Sequence, residues 1–237
     1  MLSLIATLPA TLLLPFLAEN KVLKVDTLSG TIWHGYAQQI RYQKSYRLSD
    51  LEWSLNVWSL LALKLNVDVK FANSAPRFQG KGQVSLSLTE ANINHLTMNL
   101  EATEVSPYLA LPIPIETQGD IQLVIQQATF EGLNCKNIDA SVTWQDARIS
   151  SDVGNINLAN VDVDLSCARN SYIAEVLQVS SDLKTEIRID LKTNGSYTLT
   201  GNIKEGTTLA KNIQQGLSFL GKKEPNGSFA LSFNGRL

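Results

Sequence analysis

The sequence has few of the residues on which catalysis and nucleic-acid binding depend. It contains two histidines, His34 and His95, in segments without the partner pattern of a catalytic triad or a multi-histidine metal site. It has no phosphate-binding glycine-rich loop, nucleophile elbow or HExxH motif. The 20 Lys and Arg residues are outnumbered by 22 Asp and Glu and form no basic cluster. We therefore expect no enzyme, no cofactor and no nucleic-acid partner.

Charged residues are also scarce, at 18% of the chain, whereas Ser, Thr, Asn and Gln are plentiful. This balance is typical of exported β-rich proteins whose exposed faces are polar but uncharged. The acidic pair Asp162 and Asp164 would share one face of a strand and could bind a cation there. The solvated face of an alternating strand is usually polar for solubility alone, so we expect no metal site.

Cysteine is limited to Cys135 and Cys167. Their wide spacing excludes CxxC redox and zinc motifs, and it leaves either one disulfide or two unrelated small core residues. In an oxidising compartment a disulfide would close a loop of about 30 residues and stabilise the fold by roughly 3 to 4 kcal/mol. For a protein outside the cytoplasm we predict that the two cysteines form this disulfide.

The amino terminus is apolar, because residues 1–18 carry no charge and the first charged side chain is Glu19. A membrane-spanning helix needs about 20 apolar residues, and Pro9 and Pro15 would each remove a backbone donor from its interior. The segment also lacks the positive start and the cleavage site of a signal peptide. We expect residues 1–20 to be the outer end and exit segment of a membrane anchor. A buried first strand or helix is the alternative.

From residue 28 onward apolar and polar residues alternate with a period of two, which places successive side chains on opposite faces of a strand. Strands with one apolar and one polar face belong in antiparallel sheets that are covered on one side. The sequence therefore predicts a mainly β fold, a large antiparallel and strongly curved sheet or a sandwich, with one or two short helices. The clearest alternating runs are residues 63–71, 84–88, 138–144, 161–167, 187–191 and 229–233.

Two kinds of segment interrupt the strands. The Asn-Gly pairs at residues 194–195 and 226–227 supply the positive φ values that a two-residue hairpin requires, so we interpret both as turns. Residues 207–220 carry apolar side chains at helical spacing. We predict one amphipathic helix there, with Thr207 or Thr208 as its N-terminal cap.

A Pro-rich stretch, residues 106–118, is the candidate boundary between two halves. We predict an N-terminal β half over residues 21–111 and a C-terminal β half, containing the helix, over residues 112–237.

The two predicted halves share a faint internal similarity. In each half a Gly-x-Ile segment, beginning at Gly30 or Gly119, is followed by a strand that ends at a tryptophan, Trp53 or Trp144. A true repeat would give two similar halves, as in proteins of the AsmA type. Chance similarity among alternating strands is the competing explanation.

One stretch carries more information than composition and periodicity. Residues 28–37 read LSGTIWHGYA, and an LEWSL segment at 51–55 and a leucine pair at 60–61 follow. This order resembles the N-proximal signature of the type II secretion system protein N family, in which an S-G-T-hydrophobic-W-x-G-x-A segment precedes an L-x-W strand and a leucine pair. The segment Leu8-Pro9-Ala10, the well-separated cysteines and the C-terminal residues 217–237 also look like that family.

The resemblance implies a periplasmic accessory or assembly protein of Gram-negative bacteria, anchored in the inner membrane, that takes part in exporting folded proteins across the outer membrane. Its partners would be other components of the secretion system, such as the secretin or the inner-membrane platform, contacted through sheet edges or exposed faces. We interpret Gly30 and Gly35 as points where a strand bends or another backbone comes close. Trp33 and Trp53 are then large packing residues beside them, and all four form a structural motif.

The same strands allow a second function. A sheet with one apolar face can curl into a groove lined with aliphatic side chains, as in periplasmic lipid-conduit proteins of the AsmA type. A closed core would bury every apolar face at roughly 25 cal/mol per Å², whereas an open groove leaves an apolar surface that needs a ligand. We therefore keep lipid as an alternative partner. An enzyme is a distant third hypothesis and would need a polar cleft with a perturbed titratable group.

Overall fold

The computed structural model describes residues 7–14, 23–42, 46–73, 78–104, 115–168, 171–217 and 223–236. The prediction of a mainly β, antiparallel fold is confirmed, because thirteen strands within these ranges are hydrogen-bonded in sequence order. The strands are β1 (Leu23–Gly30), β2 (His34–Tyr42), β3 (Tyr46–Asn56), β4 (Leu65–Asn73), β5 (Phe78–Leu86), β6 (Ala91–Glu101), β7 (Glu116–Glu131), β8 (Asn134–Ser151), β9 (Gly154–Ala168), β10 (Ser171–Val179), β11 (Leu183–Lys192), β12 (Ser196–Glu205) and β13 (Ser228–Arg236).

Helical structure is short in the described residues. The α-helix α1 spans Lys211–Leu217, and 3₁₀ turns span Ala10–Leu13, Val57–Ala62 and Ala102–Glu104. Across the described ranges we find no helix long and apolar enough to cross a membrane. The predicted anchor segment lies largely outside the described residues, since only residues 7–14 of it are included.

The helix expected over residues 207–220 begins later than predicted. It starts at Lys211, and residues 218–222 lie outside the described chain. The predicted cap is wrong, because Thr208 precedes the helix and is used elsewhere: its hydroxyl donates to the Asp182 carboxylate. Its N–H donates to the Ser181 carbonyl at 3.2 Å.

Two further boundaries differ from the expectations. The alternating run that we placed at 63–71 becomes β4 only from Leu65, because Leu63 ends the preceding 3₁₀ turn in a left-handed conformation, with φ of 53°. The loop between β11 and β12 has three residues and not two, with Gly195 alone at positive φ, 83°. Asn194 instead accepts the Ser196 N–H on its side-chain oxygen at 2.9 Å. Such three-residue loops with glycine in the last position are a common hairpin connection.

The chain divides into two compact units, residues 1–98 and 99–237, called here unit 1 and unit 2. The Pro-rich boundary predicted over residues 106–118 falls largely on residues 105–114, which lie outside the described chain. The division into two similar halves therefore stays a prediction.

Within unit 2 the longest strands are irregular. The register of β7 against β8 shifts between Gln118 and Asp120 and again between Ile125 and Gln127. The register of β8 against β9 shifts between Trp144 and Ala147. Shifts of this kind insert an unpaired residue and bend the strand locally.

Candidate functional site

The signature residues meet at the first hairpin of unit 1, in a region called here the signature corner. Gly30 ends β1 with φ of 83° and lies opposite Gly35 at the start of β2. Trp53 of β3 lies directly across from Gly35. Its ring covers that glycine so closely that a Cβ at position 35 would approach ring carbons to less than 3.0 Å. The indole N–H donates to the Ile32 carbonyl at 3.1 Å, which ties β3 to the hairpin loop.

Trp33 and the segment at residues 8–10 also make backbone hydrogen bonds in the signature corner. The Trp33 carbonyl accepts the Leu55 N–H at 2.6 Å, so the loop also contacts the end of β3. Pro9 pairs with Thr31, and the Leu8 carbonyl accepts the Ile32 N–H at 3.0 Å. The Leu-Pro-Ala segment at residues 8–10 is therefore bonded to the same loop as the glycine and tryptophan residues. That Gly30, Trp33, Gly35 and Trp53 act together as a structural motif stays a prediction.

Unit 2 contains a second glycine–tryptophan contact. Gly119 of β7 has φ of 109°, and a Cβ there would come within 2.9 Å of the Trp144 indole nitrogen. That nitrogen donates to the Gln118 carbonyl at 3.0 Å. In both units a tryptophan therefore donates to a backbone carbonyl within two residues of a positive-φ glycine. This shared geometry is what an internal repeat would produce.

A shallow depression of about 580 Å³ lies beside the signature corner. Much of its lining comes from the polar side of β2–β4, where His34, Ser54 and Asp68 are register neighbours. Nearby, the Tyr36 hydroxyl donates a hydrogen bond to Asp50, and this bond raises the pKa of Tyr36 above its ordinary value. The lining mixes both signs of charge and brings no acid, base and nucleophile into contact, so it suggests no particular chemistry.

The residues that could have formed a metal site are dispersed. No group of three or more His, Cys, Asp or Glu side chains within the described ranges is arranged to hold a metal ion. His34 and His95 are exposed on separate strands. Asp162 accepts a hydrogen bond from the Thr143 hydroxyl at 3.2 Å, as expected of a side chain on the solvated face of β9.

Unit 2 also carries an apolar face, defined here by three rows of side chains that run across β7–β13. None of these side chains is charged, and at about 4.8 Å per strand each row is roughly 29 Å long. The central row contains Leu123, Val142, Val163, Val176, Ile187, Gly201 and Leu231. One flanking row contains Ile125, Ala140, Leu165, Ala174, Ile189, Leu199 and Phe233. The other contains Ile121, Trp144, Val161, Gln178, Thr185, Ile203 and Phe229.

One corner of this apolar face is covered by α1. Leu209 and Leu217 pack with Leu183 and Phe229 in a buried cluster. Gln178 lies in the same region, 2% exposed, and its amide nitrogen donates to the carbonyls of Leu158 and Leu183 at 2.9 and 3.0 Å. The helix therefore closes one side of the sheet, where the Gln178 side-chain oxygen is buried with no hydrogen-bond partner among the described residues.

The described residues leave much of the rest of the apolar face partly exposed. From β7 to β11 the central row is only half-buried, and no large side chain among the described residues is less than 2% exposed. At the β13 end Phe233 is 45% exposed. A closed core would bury such side chains completely. Within unit 2 the apolar face is thus a surface with room for an occupant over most of its length.

The hairpin tip between β7 and β8 is tied to neighbouring strands. Cys135 near the start of β8 forms a disulfide with Cys167 near the end of β9. The Tyr172 hydroxyl of β10 donates to the Leu133 carbonyl in the tip at 2.8 Å. Both links hold the tip against β9 and β10, where Cys167 and Tyr172 are register neighbours.

Sequence reasoning found the apolar faces but missed how they combine. The alternation identified the apolar residues of each strand, yet the rows depend on the register between strands, which bulges and loop lengths set. Gln178 belongs to none of the predicted runs, and the run at 229–233 did not indicate that Phe233 is exposed. A signal for Gln178 existed, because it follows Ala174 and Val176 on the same face of the strand with an amide that needs buried partners.

Comparison with known proteins identifies the family. The family profile described as "Type II secretion system (T2SS), protein N" matches residues 21–232. Type II secretion system protein N of Vibrio cholerae is 26% identical, over all of this chain and 94% of that protein. The protein of the same name from Aeromonas hydrophila is 30% identical, over 99% of this chain and 93% of that protein. The one from Pectobacterium carotovorum is 27% identical, over 90% of this chain and 84% of that protein.

No solved structure matches the chain at a significant level. The family match nevertheless covers nearly the whole sequence, including most of both units and the signature residues from Gly30 to Trp53. The resemblance seen in residues 28–37 is thereby confirmed: the chain belongs to the type II secretion system protein N family.

Proposed function

We propose that this chain is a periplasmic, inner-membrane-anchored accessory or assembly component of the type II secretion system. It acts by protein–protein contact, and not by catalysis, in the export of folded proteins across the outer membrane. The observation that carries the proposal is the family match over residues 21–232. The expected partners are the secretin and the inner-membrane platform.

The surfaces available for such contacts are the outer edges of β1 and β13 and the two faces of the sheet. Strand edges offer unpaired backbone groups that an extended partner segment can use. On the face opposite the apolar rows, Glu175 and Arg188 form an ion pair between exposed side chains. Faces of that kind suit reversible contacts, because they remain soluble when the partner is absent.

Periplasmic placement is supported by the pairing of Cys135 with Cys167. Stable structural disulfides form in oxidising compartments such as the periplasm. We expect the chain in cells to carry this disulfide when thiols are blocked at lysis, detected as a mobility shift on reduction. A chain recovered with both thiols free would contradict the periplasmic placement.

Site-specific photocrosslinking in cells with an intact secretion system tests the contact role. A photoreactive residue would replace Leu177 on the face of β10 opposite the apolar rows, Val176 on the apolar face of the same strand, or Asn234 at the β13 edge. We expect secretin or platform subunits to be captured from at least one of these positions. Absence of such adducts from all three, with secretion intact, would overturn the contact role.

A second candidate function is lipid binding, and the half-buried central row of the apolar face favours it. A sheet face has its backbone groups paired within the sheet, so this surface offers an occupant no hydrogen bonds. Peptide groups placed on it would lose their water partners at a cost of about 1 to 3 kcal/mol each. Acyl chains have no polar groups to desolvate and gain about 0.8 kcal/mol for each buried CH₂.

Adjacent residues of β10 provide a matched test of lipid binding. Val176→Asn adds an amide to the central row, whereas Leu177→Asn makes a similar change on the opposite face, where Leu177 is 51% exposed. If the face holds acyl chains, native mass spectrometry of protein purified from membranes should show bound phospholipid that V176N loses and L177N keeps. Protein that retains no lipid, or equal retention by both variants, would refute this function.

A further inference from the structure

The two outermost strands of the sheet differ in how their outer edges are protected. Strand β1 carries Lys24 and Asp26, and the positive φ of Thr27, 50°, interrupts its regular pairing with β2. Charges and local distortions of this kind keep edge strands from pairing with other chains. Strand β13 carries only one such device, the charged Arg236 at its C-terminal end. It contains no charged residue or proline from Ser228 to Gly235, and it pairs with β12 without a register shift from Ser228 to Arg236.

The backbone groups on the outer edge of β13 can be identified from one hydrogen bond. The Ser228 carbonyl accepts the Glu224 N–H at 2.8 Å, on the side away from β12. Because N–H and C=O directions alternate along a strand, Ser232 and Asn234 also direct their backbone groups outward. Among the described residues, Lys223 pairs with Phe229 at the start of this edge, and no other described strand lies beyond β13. From about residue 231 onward, no described segment therefore pairs with this edge.

We propose that this open edge pairs with β13 of a second copy of the chain, antiparallel and about a two-fold axis at Phe233. In this register Ser232 lies opposite Asn234 of the second copy, and the two such pairs exchange about four backbone hydrogen bonds. Phe233 meets Phe233 of the second copy in a close, non-hydrogen-bonded pair. Leu231 meets Gly235 of the second copy on the same face.

The side chains of β13 make this strand complementary to itself. Phe233 is 45% exposed and would cover its counterpart across the axis, since aromatic cross-strand pairs stabilise sheets. The polar positions also match, because an uncharged serine faces an uncharged asparagine and no like charges oppose each other. The flanking apolar row that ends at Phe233 beside Leu199 would then continue into the second copy. A charged or unrelated edge strand would lack this match at each position.

Self-association of this kind goes beyond the proposed function and can fail separately from it. Secretion and partner capture measure contacts with other components, whereas the mass of the purified full chain measures pairing between copies.

Register-specific crosslinking of the full chain tests the proposal. Directly opposed residues in the proposed pairing have Cα atoms about 5.5 Å apart, within the disulfide range of about 4.4 to 6.8 Å. Two copies of S232C would place their thiols on a diagonal of about 7 to 8 Å, which is too long. We expect a mixture of S232C and N234C chains to form a disulfide-linked dimer on a non-reducing denaturing gel, and either variant alone to form no covalent dimer. The native cysteines do not interfere, because they are paired with each other.

Two results would overturn the arrangement. Crosslinking of S232C or N234C alone would place the axis elsewhere, and absence of crosslinking in the mixture would exclude this pairing.

A Ser232→Pro variant gives an independent measurement, because its lost N–H points outward and proline is tolerated at such edge positions. S232P should dimerise at least about tenfold more weakly than S232A in sedimentation equilibrium, with an unchanged circular dichroism spectrum. A wild-type chain that sediments only as a monomer, while S232P loses capture of secretion subunits in cells, would assign the edge to another protein.

Discussion

Replacing Gly35 with alanine tests the packing of the signature corner. The added methyl group would approach carbons of the Trp53 ring to less than 3.0 Å, so the ring must move. Moving the ring costs about 1 to 3 kcal/mol as overpacking. It also breaks the bond from the indole N–H to the Ile32 carbonyl, worth about 0.5 to 1.5 kcal/mol. We therefore expect G35A to lower the free energy of unfolding by about 2 to 4 kcal/mol.

Chemical denaturation followed by tryptophan fluorescence measures this loss, and Gly216→Ala is the matched control. Gly216 lies in α1, and a Cβ there would meet no atom within 4 Å. The same glycine-to-alanine change at that position should stabilise the protein by about 0.5 to 1 kcal/mol. A G35A protein as stable as the wild type would show that the ring does not rest on Gly35.

A double-mutant cycle separates this contact from a general effect of the methyl group. In a Trp53→Leu background the ring is absent, so G35A should cost at least about 1 kcal/mol less than in the wild type. An equal cost in both backgrounds would refute the assignment of the destabilisation to the Trp53 ring.

Three further changes probe other parts of the fold. Reducing the disulfide formed by Cys135 should lower stability by roughly 3 to 4 kcal/mol, measured as denaturation with and without reductant. Leu217→Ala should cost about 2 to 5 kcal/mol because Leu217 is buried against the sheet, whereas Leu88→Ala, at an 88% exposed position, should change stability by less than about 0.5 kcal/mol. Trp144→Phe removes the donor to the Gln118 carbonyl and should cost about 0.5 to 1 kcal/mol in the same denaturation assay, whereas the same change at Trp58, which is 79% exposed, should cost less.

The strands were predictable because side-chain alternation reflects the geometry of a single strand. Runs such as residues 161–167 and 187–191 lie within β9 and β11 as expected. The boundaries were less predictable where a polar or glycine residue has more than one use. Thr208 could cap a helix or bond to Asp182, and only the fold decides which.

The contacts across strands could not be predicted, since they depend on register. Trp53 reaches Gly35 because the loop between β2 and β3 sets which residues are opposed. The shift at Gln118 and Asp120 likewise decides that Ile121 meets Trp144. A one-residue change in either loop or bulge would move every side chain to the opposite face. Periodicity therefore predicts which residues lie on the apolar face of each strand, but it does not predict which residues of neighbouring strands they meet.

The open apolar face also bears on how the protein remains folded. A domain of this size normally gains most of its stability from a buried core, yet the described part of unit 2 buries its large apolar side chains mainly under α1. The disulfide, the Trp144 bond and the continuous backbone ladder must then carry a larger share of its stability. An occupant of the face would add to that share, because whatever binds the folded state alone stabilises it in proportion to its concentration. Lipid or a partner subunit bound there should therefore raise the unfolding midpoint of the wild type more than that of V176N, and this difference separates an occupied face from a merely exposed one.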